Sequence, residues 1–505
     1  METSRNRSIK SNVVANYIGQ FYAMFIGIII LPMYMTYLGA EAFGLIGFFT
    51  MLSGWMALLD VGLSSTMSRE SASLKNSKTG IKELKSILRT IEFIFVVIAI
   101  LICASIYINS DWMANEWLKT INLNVGSVSY SISLMGALVG FRWMAGMYKG
   151  AINGFEDQVW LNAYLVIINT LKFVGGLLVI IYLSRDIAVY FEYQLAVGVI
   201  ELGVVMIRVY SKFPKSQVLE LPSYKTLRKI APFALSIAYT SALWIVLTQI
   251  DKLLLSNILT LVEYGYFTLV VVIVNGISVM SSPIGDAIRP RMTSLISQGK
   301  VTEMLNLYRR SSQIVAIVAF SVSGMAATFS EELLYAWTGD MEAAKWSSKI
   351  LFWYALGNGA LMVLAFQYYL QFAYGNLRYH VKGNTYFGIV QIVVMVVAIY
   401  EYGAIGAAIS WFSLQAVFLI LWPAYIHGKF APGLHRKWLQ YDILPFLMIT
   451  SFVLFFFAYI DIDLMLLDRF EIFMSLLLVG LVTLLCNIIF SKDARKIALK
   501  FLRAV

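Results

Sequence analysis

Long apolar runs separated by short polar connections dominate the chain. A helix needs about 20 apolar residues to cross the hydrocarbon core. Runs of that order recur fourteen times, at 13–38, 43–67, 90–109, 125–148, 159–183, 187–210, 232–257, 264–288, 312–335, 351–374, 385–400, 403–426, 443–459 and 471–490. The runs are continuous, whereas the strands of an outer-membrane barrel alternate over about ten residues, so a barrel is excluded. The pattern predicts an all-α polytopic membrane protein of about 14 transmembrane helices. The first run follows a basic flank and has no small-residue cleavage site behind it, so it reads as a retained helix. The connections are too short for a folded extramembrane domain.

Weak echoes suggest internal duplication. Phe43-Gly44 opens the second run and Tyr264-Gly265 the eighth; Phe141-Arg142 in the fourth is echoed by Phe366-Gln367 in the tenth, and Glu192-Tyr193 by Glu401-Tyr402. Helices one to six would then repeat as seven to twelve. An even repeat enters the membrane from the same side, giving two six-helix lobes related by a pseudo-two-fold along the membrane normal. Two extra C-terminal helices follow. The expected organisation is an N-terminal segment 1–12, an N-lobe 13–210, a connection 211–231, a C-lobe 232–427, a loop 428–442, the added helices 443–490 and a tail 491–505.

Composition agrees: charged residues are 13% of the 505 and apolar residues 59%, against about 25% charged in soluble domains. The net charge of +10 is concentrated in alternate connections. The segment after the second run carries Arg69, Lys75, Lys78, Lys82, Lys85 and Arg89. A later one carries Lys212, Lys215, Lys225, Arg228 and Lys229. By the positive-inside rule both termini are cytoplasmic, and the charge marks orientation rather than nucleic-acid binding.

A few charges fall inside the runs, where they are costly and usually face a bundle interior or a water-filled path. Lys172 lies 13 residues into its run, about 20 Å along the helix axis. Arg142 is nearer the cytoplasmic side and Lys252 in the outer half. These three are candidates for a cationic substrate-binding cavity. Arg presents a fork to phosphate oxygens and Lys a point charge, which suits a diphosphate. The bland alternative is structural pairing, for example Arg142 with Glu201, or snorkelling of Lys252. Asp60, Glu201, Asp251 and Asp286 are candidates for ion coupling or charge pairing, with H+ or Na+ as the coupling ion. Gly27 and Pro32 in the first helix and Pro283 in the eighth are candidate hinges, or static kinks.

Catalytic chemistry is not legible. There is no phosphate-binding glycine loop, no HExxH and no nucleophile elbow. Cys103 and Cys486 lie in apolar runs with no metal spacing. His380, His427 and His435 have no regular spacing with carboxylates. No catalytic residue, metal or cofactor is expected.

The sequence resembles the Wzx-type O-antigen and polysaccharide flippases. The resemblance rests on Asn16-Tyr17, Leu31-Pro32, Tyr37-Leu38-Gly39 and Phe43-Gly44; on 59–65 (Leu-Asp-Val-Gly-Leu-Ser-Ser) followed by Arg69-Glu70; and on 249–256 (Gln-Ile-Asp-Lys-Leu-Leu-Leu-Ser) followed by Tyr264-Gly265-Tyr266. That family belongs to the superfamily of multidrug and toxin extruders and lipid II flippases. The resemblance implies a transporter, not an enzyme, of the bacterial inner membrane. Such a protein moves an undecaprenyl-diphosphate-linked oligosaccharide to the periplasmic leaflet by alternating access. Its partners would be that glycan, membrane lipids and other polysaccharide-assembly proteins, with no nucleic acid. Competing readings are an ion-coupled multidrug extruder, which should carry dominant membrane carboxylates with few basic partners, and a membrane polymerase or acyltransferase. The last two want a large periplasmic loop or an intramembrane histidine.

Overall fold

A computed structural model describes residues 2–75, 77–214, 221–460, 464–491 and 494–495. By its contacts the chain divides into two units, Met1–Gly265 and Tyr266–Val505. The described residues are almost entirely helical.

The first unit holds α1 (Glu2–Leu38), α2 (Ala40–Met56), α3 (Leu63–Leu74), α4 (Lys78–Trp112), α5 (Val125–Gly154), α6 (Gln158–Thr170), α7 (Gly176–Tyr182), α8 (Ile187–Tyr210) and α9 (Tyr224–Ile258). α10 (Leu261–Val279) starts at the division. The second unit continues with α11 (Ser282–Ser297), α12 (Val301–Thr328), α13 (Ser330–Thr338), α14 (Met341–Ala373), α15 (Arg378–Phe430), α16 (Leu434–Lys437), α17 (Leu444–Tyr459) and α18 (Arg469–Phe490).

Eleven of the described helices are long and apolar enough to cross a membrane, and α9, bent by 51°, makes a twelfth. α15, with 53 residues, turns at Gly403, whose φ of 59° and ψ of −140° leave the helical region. Only glycine adopts that backbone readily, and it falls where the sequence separates the eleventh and twelfth runs. Reading α15 as two spans, and adding the 30-residue α5, is compatible with fourteen.

The second and the eighth of the expected spans are interrupted in the membrane-length runs. The second run ends its α-helix at Met56, tightens into a 3₁₀ turn at Ala57–Asp60, and passes through left-handed Val61 (φ 46°) and Gly62 (φ 72°) before α3. A β-branched residue at positive φ is strained, so the surrounding packing holds this break. The eighth run is interrupted between α10 and α11. Pro283 therefore sits in the first turn of α11, where its missing N–H leaves no bond unmade. Pro32 lies inside α1, and its carbonyl accepts a bond from Thr36 Oγ1 at 3.1 Å.

Within the first unit, α5 packs along α4 and α8, and α1 along α6 and α7. The core is built from Leu84, Ile91, Phe95, Met147, Ile168 and Val205, with the Phe95 ring stacked on Trp143 at 4.1 Å. Gly136 and Gly140 let α5 approach α4 at Ile106 and Ala99. The contact division falls later than the 211–231 connection because α9 is fastened to the first unit. Trp117 Nε1 donates to Ser256 Oγ at 3.0 Å, Lys119 Nζ to the Ile258 carbonyl at 2.8 Å, and Leu261 N to the Lys119 carbonyl at 2.9 Å. In the second unit α14 packs on α15, α12 and α13, and the α17–α18 pair closes on α12 and α13 through Phe329, Leu454, Ile472 and Leu476. Ile100, Ile108 and Ile207 in one unit, and Phe452, Phe455 and Leu485 in the other, face outward. Large apolar side chains in that number on the outside suit lipid rather than water.

Candidate functional site: a cationic cluster around Glu201

Four charged side chains from three elements of the first unit converge. Arg142 and Lys149 are seven residues apart on α5, so two helical turns bring them onto one face. Gln194 and Glu201 are also seven apart, on α8. Arg142 Nη2 donates to Gln194 Oε1 at 2.6 Å, and Lys149 Nζ to Glu201 Oε1 at 2.6 Å. Both pairs span 52 residues. An unchanging offset means that α5 and α8 run parallel and in register along this face. Lys172 reaches the same carboxylate, its Nζ 2.5 Å from Glu201 Oε2, and Arg142 Nε lies 3.7 Å from that oxygen.

Glu201 is 1% exposed and the three cations are 17 to 25% exposed. Such a carboxylate must be paired, because an isolated buried charge is very costly. Three cations share it, so the cluster holds two positive charges in excess. Arg142 also lies over the Phe49 ring at 5.1 Å, a cation–π contact.

The backbone at Lys172 is irregular. Leu171–Gly175 forms a π-helical turn between α6 and α7. Wide turns of this kind leave carbonyls without their usual helical donors and frequently mark functional sites. Side chains supply the donors. Tyr34 OH reaches the Lys172 and Phe173 carbonyls at 3.1 and 2.8 Å, Gln194 Nε2 the Lys172 carbonyl at 2.8 Å, and Tyr193 OH the Leu171 carbonyl at 2.9 Å. A Cβ at Gly175 or Gly176 would collide with the Tyr193 and Tyr34 hydroxyls. The Gly-Gly pair thus makes room for the two tyrosines that hold the Lys172 turn. Gly27 of α1 faces Phe173 of the same turn.

A cavity of about 400 Å³ adjoins the cluster, with Arg142 on one wall and Asp60 on another. Asp60 accepts bonds from the backbone N of Ser64 at 3.3 Å and from Ser64 Oγ. Arg69, a conceivable partner, instead lies over Phe233 at 4.2 Å and 3.9 Å from Glu70.

The other sequence candidates have contacts of their own. Lys252 Nζ sits 3.2 Å from Asp251 Oδ1 and donates to the Thr248 carbonyl at 2.5 Å. Asp286 pairs with Arg289 in the second unit. Two participants escaped the sequence reading: Lys149, at the edge of its apolar run, and Gln194. The seven-residue spacing to Arg142 and Glu201 is the signal that finds both. At the end of the same α5–α8 face, Asp157 pairs with Arg208 at 2.5 Å and Lys212 at 2.7 Å. Burial works against its charge, yet bonds from Lys212 and Arg208 hold the carboxyl below its ordinary range.

A family model described as "Polysaccharide biosynthesis protein" matches residues 9–296, more than half of the chain. No curated protein matches by sequence. Among solved structures the fold is similar to the lipid II flippase MurJ in an inward closed conformation, with TM-score 0.71 and 14% identity over 94% of this chain and 98% of that one. It is also similar to an inward-facing multidrug resistance MATE family transporter of the MOP superfamily (0.61, 12%, 82% and 96%). A third likeness is to a MOP superfamily transporter from Pyrococcus furiosus (0.55, 13%, 83% and 96%). At such identities the likeness is one of fold. The match over more than half of its length makes this chain a member of the polysaccharide biosynthesis protein family, with a fold like that of the lipid II flippase MurJ and of MATE family transporters.

Proposed function

We propose that the protein is a flippase for an undecaprenyl-diphosphate-linked oligosaccharide, an O-antigen or other surface polysaccharide repeat unit. It carries this lipid from the cytoplasmic to the periplasmic leaflet of the bacterial inner membrane by alternating access. The observation that carries the reading is the excess positive charge of Arg142, Lys149 and Lys172 around one carboxylate within the membrane. A diphosphate offers several anionic oxygens, which the Arg fork and the two ammonium groups match. The lipid tail stays in hydrocarbon while the polar headgroup needs such a shielded path. No bond is made or broken, so the protein acts as a transporter rather than an enzyme. The basic connections support a topology with both termini in the cytoplasm.

The test replaces Arg142 and Lys172 with Ala, singly and together, in cells that depend on this protein for surface polysaccharide. Each single variant should lower surface polysaccharide at normal protein abundance. The double variant should abolish it, with lipid-linked units accumulating on the cytoplasmic side. Full activity of the double variant would sink the assignment.

A further inference from the structure

Another cavity, of about 400 Å³, lies in the second unit. Its walls include Glu331 and Glu332 of α13, Lys349, Phe352 and Trp353 of α14, and Ile405 of α15. It sits where three membrane-length helices end or turn. α12 stops at Thr328, α14 begins at Met341 and α15 turns at Gly403. α12 starts beside the basic residues Arg289, Arg291 and Lys300, so its other end faces the outer leaflet in the proposed orientation. Lys349 stands just before the apolar run 351–374. The cavity is therefore at the level of lipid headgroups, where aromatic side chains also gather. The Phe352 and Trp353 rings lie 5.0 Å apart, and Trp353 lies 5.3 Å from Phe412 of α15.

The charges on these walls do not satisfy one another. Among the described residues neither Glu331 nor Lys349 has an ion-pair partner, so the two line one cavity without meeting. This pattern selects the occupant. A lone cation meets Lys349, and a lone anion meets two carboxylates. Among the described residues no group of three or more His, Cys, Asp and Glu could hold a metal. An apolar molecule strands charges of both signs. A zwitterion satisfies both. An ammonium donates to the carboxylates and a phosphate accepts from the lysine, each through a charge-assisted bond. The apolar part of the wall continues inward. Ile405 and Ile409 are four residues apart on α15 and Phe412 follows at seven, so the three share a helical face. Ile409 is 41% exposed. This face leads from the cavity into the hydrocarbon, as an acyl chain does.

We propose that the cavity binds a zwitterionic aminophospholipid. The ammonium of a phosphoethanolamine head lies against Glu331 and Glu332, its phosphate takes Lys349, and one acyl chain follows Ile405, Ile409 and Phe412. Such a lipid bridges α13, α14 and the outer turn of α15. It is a resident of the second unit rather than the transported cargo, and its binding does not depend on what the cationic cluster holds.

The experiment uses the full chain purified in detergent, with binding read by native mass spectrometry. The probes are phosphatidylethanolamine and phosphatidylglycerol with the same acyl chains, and free phosphoethanolamine as a competitor. The native protein should hold phosphatidylethanolamine about tenfold more tightly than phosphatidylglycerol, the difference that one charge-assisted contact makes. Glu331→Gln should remove this preference without weakening phosphatidylglycerol, which also shows that the variant is folded. Lys349→Gln should weaken both lipids through the phosphate they share. Lys345→Gln, exposed on the same helix and outside the cavity wall, is the control and should change neither. Free phosphoethanolamine should fail to displace the lipid at equal concentration, since it lacks the chain. The proposal is overturned if the native protein binds the two lipids equally, or if Glu331→Gln keeps the preference. It is also overturned if Lys349→Gln behaves like Lys345→Gln. Competition by free phosphoethanolamine as strong as by the lipid overturns it too, and makes the ligand a small soluble zwitterion.

Discussion

Glu201 shows how a single residue's surroundings can be read from sequence and where that reading stops. A carboxylate in an apolar run must find a partner, so its pairing with Arg142 was open to inference from cost alone. That it also serves Lys149 and Lys172 was not, because run edges hide Lys149 and because the π turn at Lys172 has no signature in hydropathy. The consequence is testable by unfolding. Removing a buried counter-charge leaves its partners uncompensated, at about 3–5 kcal/mol. Glu201→Gln should therefore unfold markedly earlier in a thermal melt in detergent, with Glu201→Asp intermediate. A melt of Glu201→Gln that overlays the native curve would mean the cluster does not depend on this carboxylate. Lys252 was grouped with Arg142 and Lys172 on charge and depth alone; its contacts are instead with Asp251 and its own helix.

At the scale of helices, apolar length was enough to find nearly every element, including the turn at Gly403. It could not find the breaks after Met56 and Val279, since both fall inside runs long and apolar enough to be read as single spans. Gly62 and Pro283 were the local signs. The paired Phe43-Gly44 and Tyr264-Gly265 carried more than a repeat. A Cβ on Gly44 would meet the Leu261 carbonyl and approach Gly265 N at 3.1 Å, and one on Gly265 would meet the Ala40 carbonyl and approach Gly44 N at 3.2 Å. The two motifs therefore touch each other, and they hold the start of α10 against the start of α2. Backbone atoms cannot yield as a flexible side chain can. Gly44→Ala or Gly265→Ala should cost about 1–3 kcal/mol through overpacking, visible as a lower unfolding midpoint. Gly146→Ala is the matched control, since a Cβ there meets open space. Equal midpoints for Gly44→Ala and Gly146→Ala would contradict this contact.

For the whole molecule, the fold class was the most legible property, because hydrocarbon leaves a chain few ways to satisfy its backbone. The division of the chain was less so. Echoed motifs mark where a repeat begins, whereas contacts follow the bonds from Trp117 and Lys119 that keep α9 with the first unit. Orientation rests on the distribution of Lys and Arg and has a direct check. A reporter active only outside the cytoplasm should be silent when fused after Lys82 and active after Lys119. The opposite pattern would invert the proposed direction of transport.

The cluster's own carboxylate has one further consequence. A phosphate arriving at an exposed basic surface displaces mobile ions, and its affinity falls as salt rises. Here the position is already filled by the Glu201 carboxylate of α8, so a phosphate binding as proposed would exchange with a fixed competitor in a shielded setting that salt screens weakly. Headgroup binding should accordingly change little between about 0.05 and 0.5 M salt, a range over which the Debye length shortens severalfold. On the proposed reading, the same competitor would limit how tightly a diphosphate is held, which would let a carrier that gathers its cargo from one leaflet give it up in the other.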